Sequence, residues 1–337
     1  MKTMKTNTPK YYLGIDAGGT RTRALLIASD GTVAGYGAAE AANPNNTSPA
    51  EAVNAIAKAA AAAWKKPLAA LPRAAACFMG VAGIKAAAEC AAFGKSVART
   101  GIAPAAKCIA ANDTEAALAG GLPGRPGIAL IAGTGSFCLG RDATGRIARC
   151  GGWSWLIDDI GSGFYMGREA LRATALSSEA RAPRNKIATA LLKHYKLRDP
   201  EMLLTPVFAG GFSPTAIAAL APLVVQAARD GDPRALEILN TGATGLAELV
   251  ARVAASLAWK NAAPEVVLIG GLANSGAPYQ PMLESAIARA VPGVRLAKAA
   301  LPPAAGAALR ALELDNVTIT PDLLARLSAG LTAHKIK

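Results

Sequence analysis

A short glycine-rich turn near the start of the chain carries residue types that bind anions. Asp16 ends the apolar segment YYLGID, and a turn of small residues containing Gly18 and Gly19 leads to Thr20, which we expect to open a second strand. Because glycine has no Cβ, the backbone N–H groups of such a turn can approach an anion closely, and polyphosphate is the anion we expect. An ordinary hairpin has a similar composition, so this turn alone leaves both interpretations open.

A second turn of the same kind occurs in the segment IALIAGTGSFCLGRDATGRIARC, residues 128–150. An apolar strand again precedes a glycine–threonine turn, here Gly133, Thr134 and Gly135, and a second strand, a polar turn and a third strand follow. The first copy continues in the same way. Two matching strand–turn–strand–turn–strand units indicate a duplicated architecture. Two such turns facing each other would clamp the phosphates of a nucleotide from both sides.

The elements that must position these turns alternate between strands and helices. Ser48, Pro49 and Glu51 have the spacing of a capping box with proline in the first turn, and they predict a helix to about Lys65. Buried strands are predicted over residues 74–81, 107–111 and 265–269, each followed by a turn and a helix. This alternation indicates an α/β fold. The glycine- and proline-rich segment 120–127 is the clearest linker.

The length and charge of the chain limit its function. A chain of 337 residues is long enough for two domains with proper cores. The net charge is +13, but no block of like charge and no basic stripe with interleaved aromatic residues appears. We therefore expect a charged surface and no nucleic-acid partner. A positive field that attracts an anionic substrate is the other interpretation of the excess charge.

The cysteines and histidines exclude several chemistries. The five cysteines are scattered with no CxxC pair, which is typical of reduced thiols in a cytoplasmic protein and argues against a zinc or iron–sulfur site. There are only two histidines, so a Ser-His-Asp triad or a histidine metal site is not expected. No apolar run has the length of a membrane span, and we expect no membrane partner.

Five segments together resemble the sugar kinase/actin/Hsp70 superfamily. They are the two hairpins, Asn112-Asp113, VVLIGG from Val266 and AAGAALRA from Ala304. The sequences ANPNN, ANDT, AGTGS and GGWSWLIDDIGSG are more similar to its N-acetylglucosamine kinase-like branch, the BadF/BadG/BcrA/BcrD ATPase family. The resemblance extends from Tyr12 to about Leu314. It implies two ribonuclease H-like (actin-like ATPase) domains with a nucleotide cleft between them, formed by residues 10–121 plus about 304–325 and by residues 122–303.

The resemblance implies that ATP and Mg²⁺ are the cofactors. Asp16 would help to hold Mg²⁺ through water, because hard cations favour oxygen ligands, whereas a plain turn aspartate is the alternative. Gly306 in the last core helix would allow either close helix packing or approach of the nucleotide. The residues expected to contact ATP are Asp16, Gly18, Gly19, Thr20, Gly133, Thr134, Gly135, Gly270 and Gly271.

The resemblance also implies that Asp113 is the general base. Phosphoryl transfer needs a carboxylate that orients and deprotonates the acceptor hydroxyl. The alternative is that Asp113 caps the helix that follows it. For Trp153 the alternative to sugar contact is packing in the core, and for Asn45 and Asn46 it is a simple Asn-Pro turn. The residues expected to contact the sugar are Asn43, Asn112, Asp113, Gly152, Trp153, Ser154 and Asp159.

The chain departs from the family pattern beside Asp159. The usual polar triplet there is Gly-Asp-Glu or similar, whereas this chain has Asp158, Asp159 and Ile160. Asp158 is either a solvated charge or the partner of a free 2-ammonium group, which would favour glucosamine over its N-acetyl form.

The implied function is an ATP-dependent amino-sugar kinase that converts N-acetylglucosamine to its 6-phosphate, with glucosamine as the alternative substrate. A further alternative is a BadF-type ATPase that acts on a protein partner. Such an activator needs cluster-binding cysteines at a dimer interface, and the cysteine spacing offers none. Relatives of this kind imply a homodimer.

Overall fold

The computed structural model describes residues 9–209, 213–260 and 263–336. Ten strands fall in this part of the chain: β1 (Tyr11–Ala17), β2 (Thr22–Ala28), β3 (Val33–Ala39), β4 (Ala76–Val81), β5 (Cys108–Asn112), β6 (Gly127–Ala132), β7 (Ser136–Arg141), β8 (Ile147–Gly151), β9 (Glu265–Ile269) and β10 (Arg295–Ala297). Twelve α-helices fall in the same part of the chain: α1 (Pro49–Trp64), α2 (Ala87–Ala98), α3 (Asp113–Gly121), α4 (Gly163–Ser178), α5 (Lys186–Tyr195), α6 (Leu204–Ala209), α7 (Pro214–Ala218), α8 (Ala221–Arg229), α9 (Pro233–Ala255), α10 (Tyr279–Ala290), α11 (Pro303–Leu314) and α12 (Pro321–Ala333).

The chain divides into two compact units, each built on one five-stranded sheet. The first unit contains the chain up to Arg125 and the residues from Ala299 onward, and the second contains Pro126–Lys298. The strand orders are β3-β2-β1-β4-β5 and β10-β9-β6-β7-β8. In each sheet the three strands that come first in the sequence, β1–β3 or β6–β8, pair antiparallel with one another. The two later strands, β4 and β5 or β9 and β10, extend the sheet with parallel pairing. The α/β fold class and the duplication predicted from the two hairpins are therefore confirmed.

The first unit buries both faces of its sheet. Leu13 and Ile15 of β1 point to the face covered by α1 and α2, whereas Tyr12 points to the face covered by α3, α11 and α12. This alternation follows from the two-residue period of a strand. Helix α11 approaches very closely, because a Cβ placed on Gly306 would lie 2.0 Å from the Ala116 carbonyl oxygen. Close helix packing, rather than approach of a nucleotide, accounts for this glycine.

The C-terminal end of α11 is tied to the edge of the same unit. The Asp315 carboxylate accepts hydrogen bonds from the Tyr12 hydroxyl at 2.7 Å and the Lys10 ammonium at 3.0 Å, and it also pairs with Lys107. Together these donors hold the pKa of Asp315 well below its usual range.

The second unit has one large core under its sheet. Buried side chains of β6, such as Ile128 and Leu130, pack with residues of α4, α5, α8, α9 and α10. The long helix α9 contributes Leu239, Leu246 and Val250 at helical spacing. The largely helical region predicted between the second hairpin and the strand at 265–269 is this set of helices.

The structure corrects two details of the predicted elements. β2 begins at Thr22 instead of Thr20, because the Gly18 N–H group bonds to the Arg21 carbonyl at 3.0 Å and closes the turn first. The linker is shorter than the predicted segment 120–127, because Gly120 still belongs to α3 and Gly127 already begins β6. The capping box at Ser48 and Glu51 is formed as predicted, with both hydrogen bonds present.

Candidate active site

Asp16 lies at the carboxyl end of β1 in the first unit. It is paired in register with Gly80 of β4 on one side and Arg23 of β2 on the other. The Arg23 guanidinium contacts the Asp16 carboxylate at 3.4 Å, and the aspartate side chain is 16% exposed. Burial raises the pKa of Asp16 to about 6, with Arg23 opposing the rise and the charge of Asp113 adding to it. Asp16 is therefore a partly buried acid whose ionisation is opposed by the charge of a second acid, Asp113.

Asp113 is the first residue of α3, directly after β5. The helix cap is the preceding residue, since the Asn112 side chain accepts the Thr114 N–H at 3.1 Å. The alternative that Asp113 is the N-cap is therefore wrong. The Asn112 amide also donates to the Ile84 carbonyl at 2.9 Å, which fixes this corner to the loop after β4. Burial raises the pKa of Asp113, while backbone N–H groups and the charge of Lys85 partly oppose the rise.

Gly80 lies in β4, between β1, which carries Asp16, and the junction of β5 with α3, which carries Asp113. β1, β4 and β5 are parallel neighbours, so their carboxyl ends lie at the same edge of the sheet. A Cβ placed on Gly80 would lie 2.6 Å from the Ala116 Cβ and 3.1 Å from the Asp113 Cα. Only glycine allows α3 to start this close to β4. The sheet register thus brings together Asp16 and Asp113, which are far apart in sequence.

An asparagine loop lies beside the same edge. The Asn43 side-chain oxygen accepts the Asn45 N–H at 2.9 Å, and the Asn45 amide donates to the Gly83 carbonyl at 3.2 Å. The amide nitrogens of Asn43 and Asn46 each lie 3.8 Å from the Cβ position of Gly19. This loop therefore contacts both the first glycine turn and the loop after β4. Because Asn45 bonds to Gly83, a residue distant in sequence, it does more than form a local Asn-Pro turn.

Sequence reasoning missed Gly83. Its φ is +92°, and a Cβ there would lie 2.2 Å from the Asn43 side-chain oxygen. A glycine is needed here both for the backbone conformation and for the approach of Asn43. The available signal was its position two residues after a fully buried strand.

The second glycine turn, in the second unit, is braced by α4 and by Asp159. The Gly163 N–H donates to the Gly133 carbonyl at 2.7 Å, and the Phe164 N–H donates to the Thr134 carbonyl at 3.0 Å. The Asp159 carboxylate accepts the Ser136 N–H at 3.1 Å and is 7% exposed. Asp159, predicted to contact the sugar, therefore lies against the predicted phosphate turn. Its carboxylate supports the backbone of that turn.

A cavity of about 560 Å³ opens beside this turn. Gly133, Thr134 and Gly271 line it, together with Leu272 and Ser275 of the segment after β9. Position 270 requires glycine, because its φ is +102° and a Cβ would lie 2.4 Å from the Ala132 carbonyl oxygen. By contrast, a Cβ on Gly271 would have no atom within 4 Å, so this residue leaves bare backbone at the cavity wall.

Other residues that line the cavity belong to α7, α8 and the short segment between them, which none of the sequence motifs includes. These residues are Thr215, Ala218, Ala219, Ala221, Pro222, Val225 and Arg229. Most are small or apolar, which is typical of cavities that bind small molecules.

Trp153 is in an exposed loop of the second unit. Its side chain is 68% exposed, so the alternative that it packs in the core is wrong. The neighbouring Leu156 and Ile157 are 77% and 73% exposed. Gly152 and Ser154 have positive φ values of 72° and 81°, which present the tryptophan on a tight turn. Asp158 lies near the Ile160 N–H, at 3.5 Å from its nitrogen.

Asp16 is the carboxylate predicted to help hold a hard cation at the first sheet edge, and Asp113 lies at the same edge. No group of three or more His, Cys, Asp or Glu side chains with the geometry of a metal site occurs among residues 9–209, 213–260 and 263–336. This arrangement fits Mg²⁺, which is commonly bound by one or two carboxylates, water and substrate phosphates instead of a protein cage. None of the described helices combines the length and apolar character needed to cross a bilayer.

The chain belongs to the BadF/BadG/BcrA/BcrD ATPase family, which its residues 13–311 match. It is 31% identical over 266 residues to the N-acetylmuramic acid/N-acetylglucosamine kinase of Clostridium acetobutylicum, covering 79% of this chain and 86% of that protein. The resemblance inferred from the motifs is therefore confirmed.

Solved structures agree on the fold. A candidate N-acetylglucosamine kinase from Chromobacterium violaceum superposes with a TM-score of 0.69 at 26% identity, covering 90% of this chain and 99% of that chain. A ROK family glucokinase from Streptomyces griseus, in complex with glucose and AMPPNP, gives a TM-score of 0.53 at 18% identity over 91% and 99% of the two chains. The actin-like ATPase fold class is confirmed by these neighbours.

Proposed function

We propose that this protein is an ATP-dependent amino-sugar kinase that converts N-acetylglucosamine to N-acetylglucosamine 6-phosphate. The family and the kinase relatives support the broader class, a sugar phosphotransferase that uses ATP. The observation that carries the specific proposal is the pair of partly buried carboxylates, Asp16 and Asp113, at one sheet edge beside the asparagine loop.

Asp113 is proposed as the general base. Its carboxylate accepts the proton of the sugar 6-hydroxyl as that oxygen bonds to the γ-phosphorus, and the bond to the β-phosphate oxygen breaks to release ADP. A pKa raised by burial suits this role, because it makes the carboxylate accept a proton more readily than an exposed aspartate does. The Asn112 cap fixes the start of α3 and hence the direction of the Asp113 side chain.

The other candidate residues bind and orient the substrates. Amides of Asn43 and Asn112 offer donors and acceptors to sugar hydroxyls, and Trp153 offers an apolar face to the pyranose ring. The backbone N–H groups of the turns at Gly18-Gly19 and Gly133-Thr134-Gly135 bind phosphate oxygens. Bound Mg²⁺ would neutralise phosphate charge, with Asp16 as the residue that helps to hold it.

A coupled ADP-release assay tests the proposal against N-acetylglucosamine, glucosamine, N-acetylmannosamine, N-acetylmuramic acid and glucose. We expect release to depend on an amino sugar. Preference for glucosamine would assign Asp158 to a 2-ammonium group. Equal ADP release with and without every sugar would contradict the kinase proposal and favour a plain ATPase.

The Asp113→Asn variant tests the base directly. We expect kcat to fall by about 10³, within the range that general-base catalysis contributes, with unchanged affinity for ATP. Glu115→Gln is the matched control, because Glu115 is an acid of the same helical turn and forms an ion pair with Arg310 at 4.0 Å. A kcat near that of the wild type in Asp113→Asn would rule out Asp113 as the base.

The domain bounds, the cytoplasmic location and the homodimer stay predictions. Sedimentation of the purified protein at several concentrations would test the dimer.

A further inference from the structure

A cavity of about 470 Å³ lies in the second unit, apart from the glycine turn. It is bounded by the second half of α4, the segment that joins α4 to α5, and the start of α9. Gly163, in the first turn of α4, bonds to the glycine turn, whereas Arg172 lies about 14 Å further along the axis of the same helix. The proposed chemistry uses no residue of this cavity.

Both arginines and acids line this cavity. They are Arg172, Arg184, Arg234, Asp232 and Glu237. Asp232 is 3% exposed, and its carboxylate accepts the backbone N–H groups of Lys186 at 2.6 Å and Ala235 at 2.8 Å. These donors belong to the first turns of α5 and α9, so Asp232 already satisfies the positive ends of both helices. Glu237 is exposed and pairs with Arg234 at 2.8 Å.

Two of the arginines have uncommitted hydrogen-bond donors. Arg184 is exposed, and its side chain makes no hydrogen bond or ion pair within residues 9–209, 213–260 and 263–336. Arg172 approaches the Glu169 carboxylate at 3.6 Å, which is too long for a hydrogen bond. The two oxygens of Glu169 already accept from Arg168 at 3.2 Å and from Arg234 at 3.3 Å. Arg172 and Arg184 can therefore donate to a ligand without breaking a hydrogen bond of the fold.

The other lining residues are mostly apolar. They include Ala173, Leu176, Ala182, Pro183 and Pro233. A guanidinium group binds phosphate oxygens through two parallel N–H bonds. A phosphomonoester carries a charge of about −2, which two uncommitted guanidinium groups match. The volume and the apolar residues suit a small organic group attached to that phosphate.

We propose that this cavity is a binding site for a small phosphomonoester. Arg172 and Arg184 hold the phosphate oxygens, and the side chains of Leu176 and Pro183 contact the organic group. The site shares no residue with the proposed sugar and ATP sites, so it stands whether or not the protein is a sugar kinase.

Isothermal titration of the full chain with glycerol 3-phosphate tests the proposal. We expect saturable binding of one equivalent, with the same Kd when ADP is present. Arg172→Ala and Arg184→Ala should each raise the Kd about tenfold, the loss expected of a charge-assisted hydrogen bond. Arg184→Lys keeps the charge but not the paired donors, and it should raise the Kd only about threefold.

Glu237→Gln makes a prediction in the opposite direction. The substitution removes a negative charge from the cavity wall and frees Arg234 from its ion pair. The Kd for glycerol 3-phosphate should therefore fall about threefold, because a charge that repels the phosphate is lost. A poorly folded variant cannot produce this gain in affinity. A Kd that rises in Glu237→Gln would contradict an anion site here.

Arg181→Ala is the matched control for the general positive field. Arg181 belongs to the same segment between α4 and α5, pairs with Glu179 at 2.9 Å and is absent from the cavity lining. Its Kd should equal that of the wild type. Equal weakening in Arg181→Ala and Arg184→Ala, competition with ADP, or no saturable binding by the wild type would overturn the proposal. Tighter binding of succinate, a dicarboxylate of the same charge, would overturn the assignment to a phosphomonoester.

Discussion

The substitution Gly80→Ala would separate the geometry of the two carboxylates from their chemistry. It adds one methyl group between β4 and α3 and leaves Asp16 and Asp113 chemically unchanged. The new Cβ would lie 2.6 Å from the Ala116 Cβ. Carbon atoms in contact are about 3.5–4.0 Å apart, so α3 must withdraw from β4 by about 1 Å. Since Asp113 begins α3, its carboxylate moves with the helix.

A displacement of this size has two measurable costs. Overpacking of a core position destabilises a protein by about 1–3 kcal/mol. Misplacement of a catalytic group by about 1 Å can reduce the rate about 10²-fold. We therefore expect kcat to fall about a hundredfold at saturating ATP and sugar, with the ATP Kd unchanged. Thermal melting would measure the loss of stability. Steady-state kinetics, at a temperature where the variant is folded, would measure the loss of kcat.

Gly330→Ala is the control for simple overpacking in the same unit. A Cβ there would also lie 2.6 Å from a methyl carbon, Cγ2 of Val33, but α12 carries neither carboxylate. It should lose stability without losing kcat. A fully active Gly80→Ala protein, or an equal loss of kcat in Gly330→Ala, would refute the reasoning.

Three further predictions concern the cavity beside the second glycine turn and the acids with shifted pKa values, Asp16 and Asp315. Gly270→Ala should weaken ATP binding at least tenfold by titration, because alanine at φ +102° is strained and its Cβ would lie 2.4 Å from a backbone oxygen; wild-type affinity would contradict this. Since the pKa of Asp16 is about 6 in the folded metal-free protein and near 3.8 when unfolded, denaturant titrations should show the stability of the wild type rising relative to Asp16→Asn as pH falls from 6 to 4. A stability difference that does not change with pH would contradict the raised pKa of Asp16. Asp315→Asn should cost about 1–2 kcal/mol at pH 7, and this difference should begin to shrink only below about pH 4 and decline progressively as the pH falls further, because the lowered pKa of Asp315 keeps its carboxylate ionised in the folded state after it is protonated in the unfolded chain.

Local features of this protein were predictable because they depend on neighbours in sequence. The capping box at Ser48 and Glu51 closes over four residues, and it formed as predicted. Each hairpin is likewise a local unit, and recognising two of them gave the duplicated α/β fold and the family. The start of β2 was misplaced because one turn hydrogen bond, from Gly18 to Arg21, competes with the strand pattern.

Residues on helices outside the motifs could not be predicted to line the cavity. Thr215, Arg229 and Ser275 carry no spacing that distinguishes them from ordinary surface residues of helices and loops. The exposure of Trp153 could not be predicted either, because tryptophan normally packs in a core and Trp153 does not. The cap at Asn112 instead of Asp113 depended on a shift of one residue between strand and helix.

The sequence by itself determined the two glycine turns, the alternation of strands and helices and the residue types at their ends, because hydrogen bonding over a few residues and apolar periodicity are written locally. Only the tertiary structure decided that Asp16 and Asp113 interact, since their proximity depends on the parallel register of β1, β4 and β5 and on the missing side chain of Gly80. The pKa of a buried acid depends on what packs around it, and that packing brings together residues from distant parts of the chain.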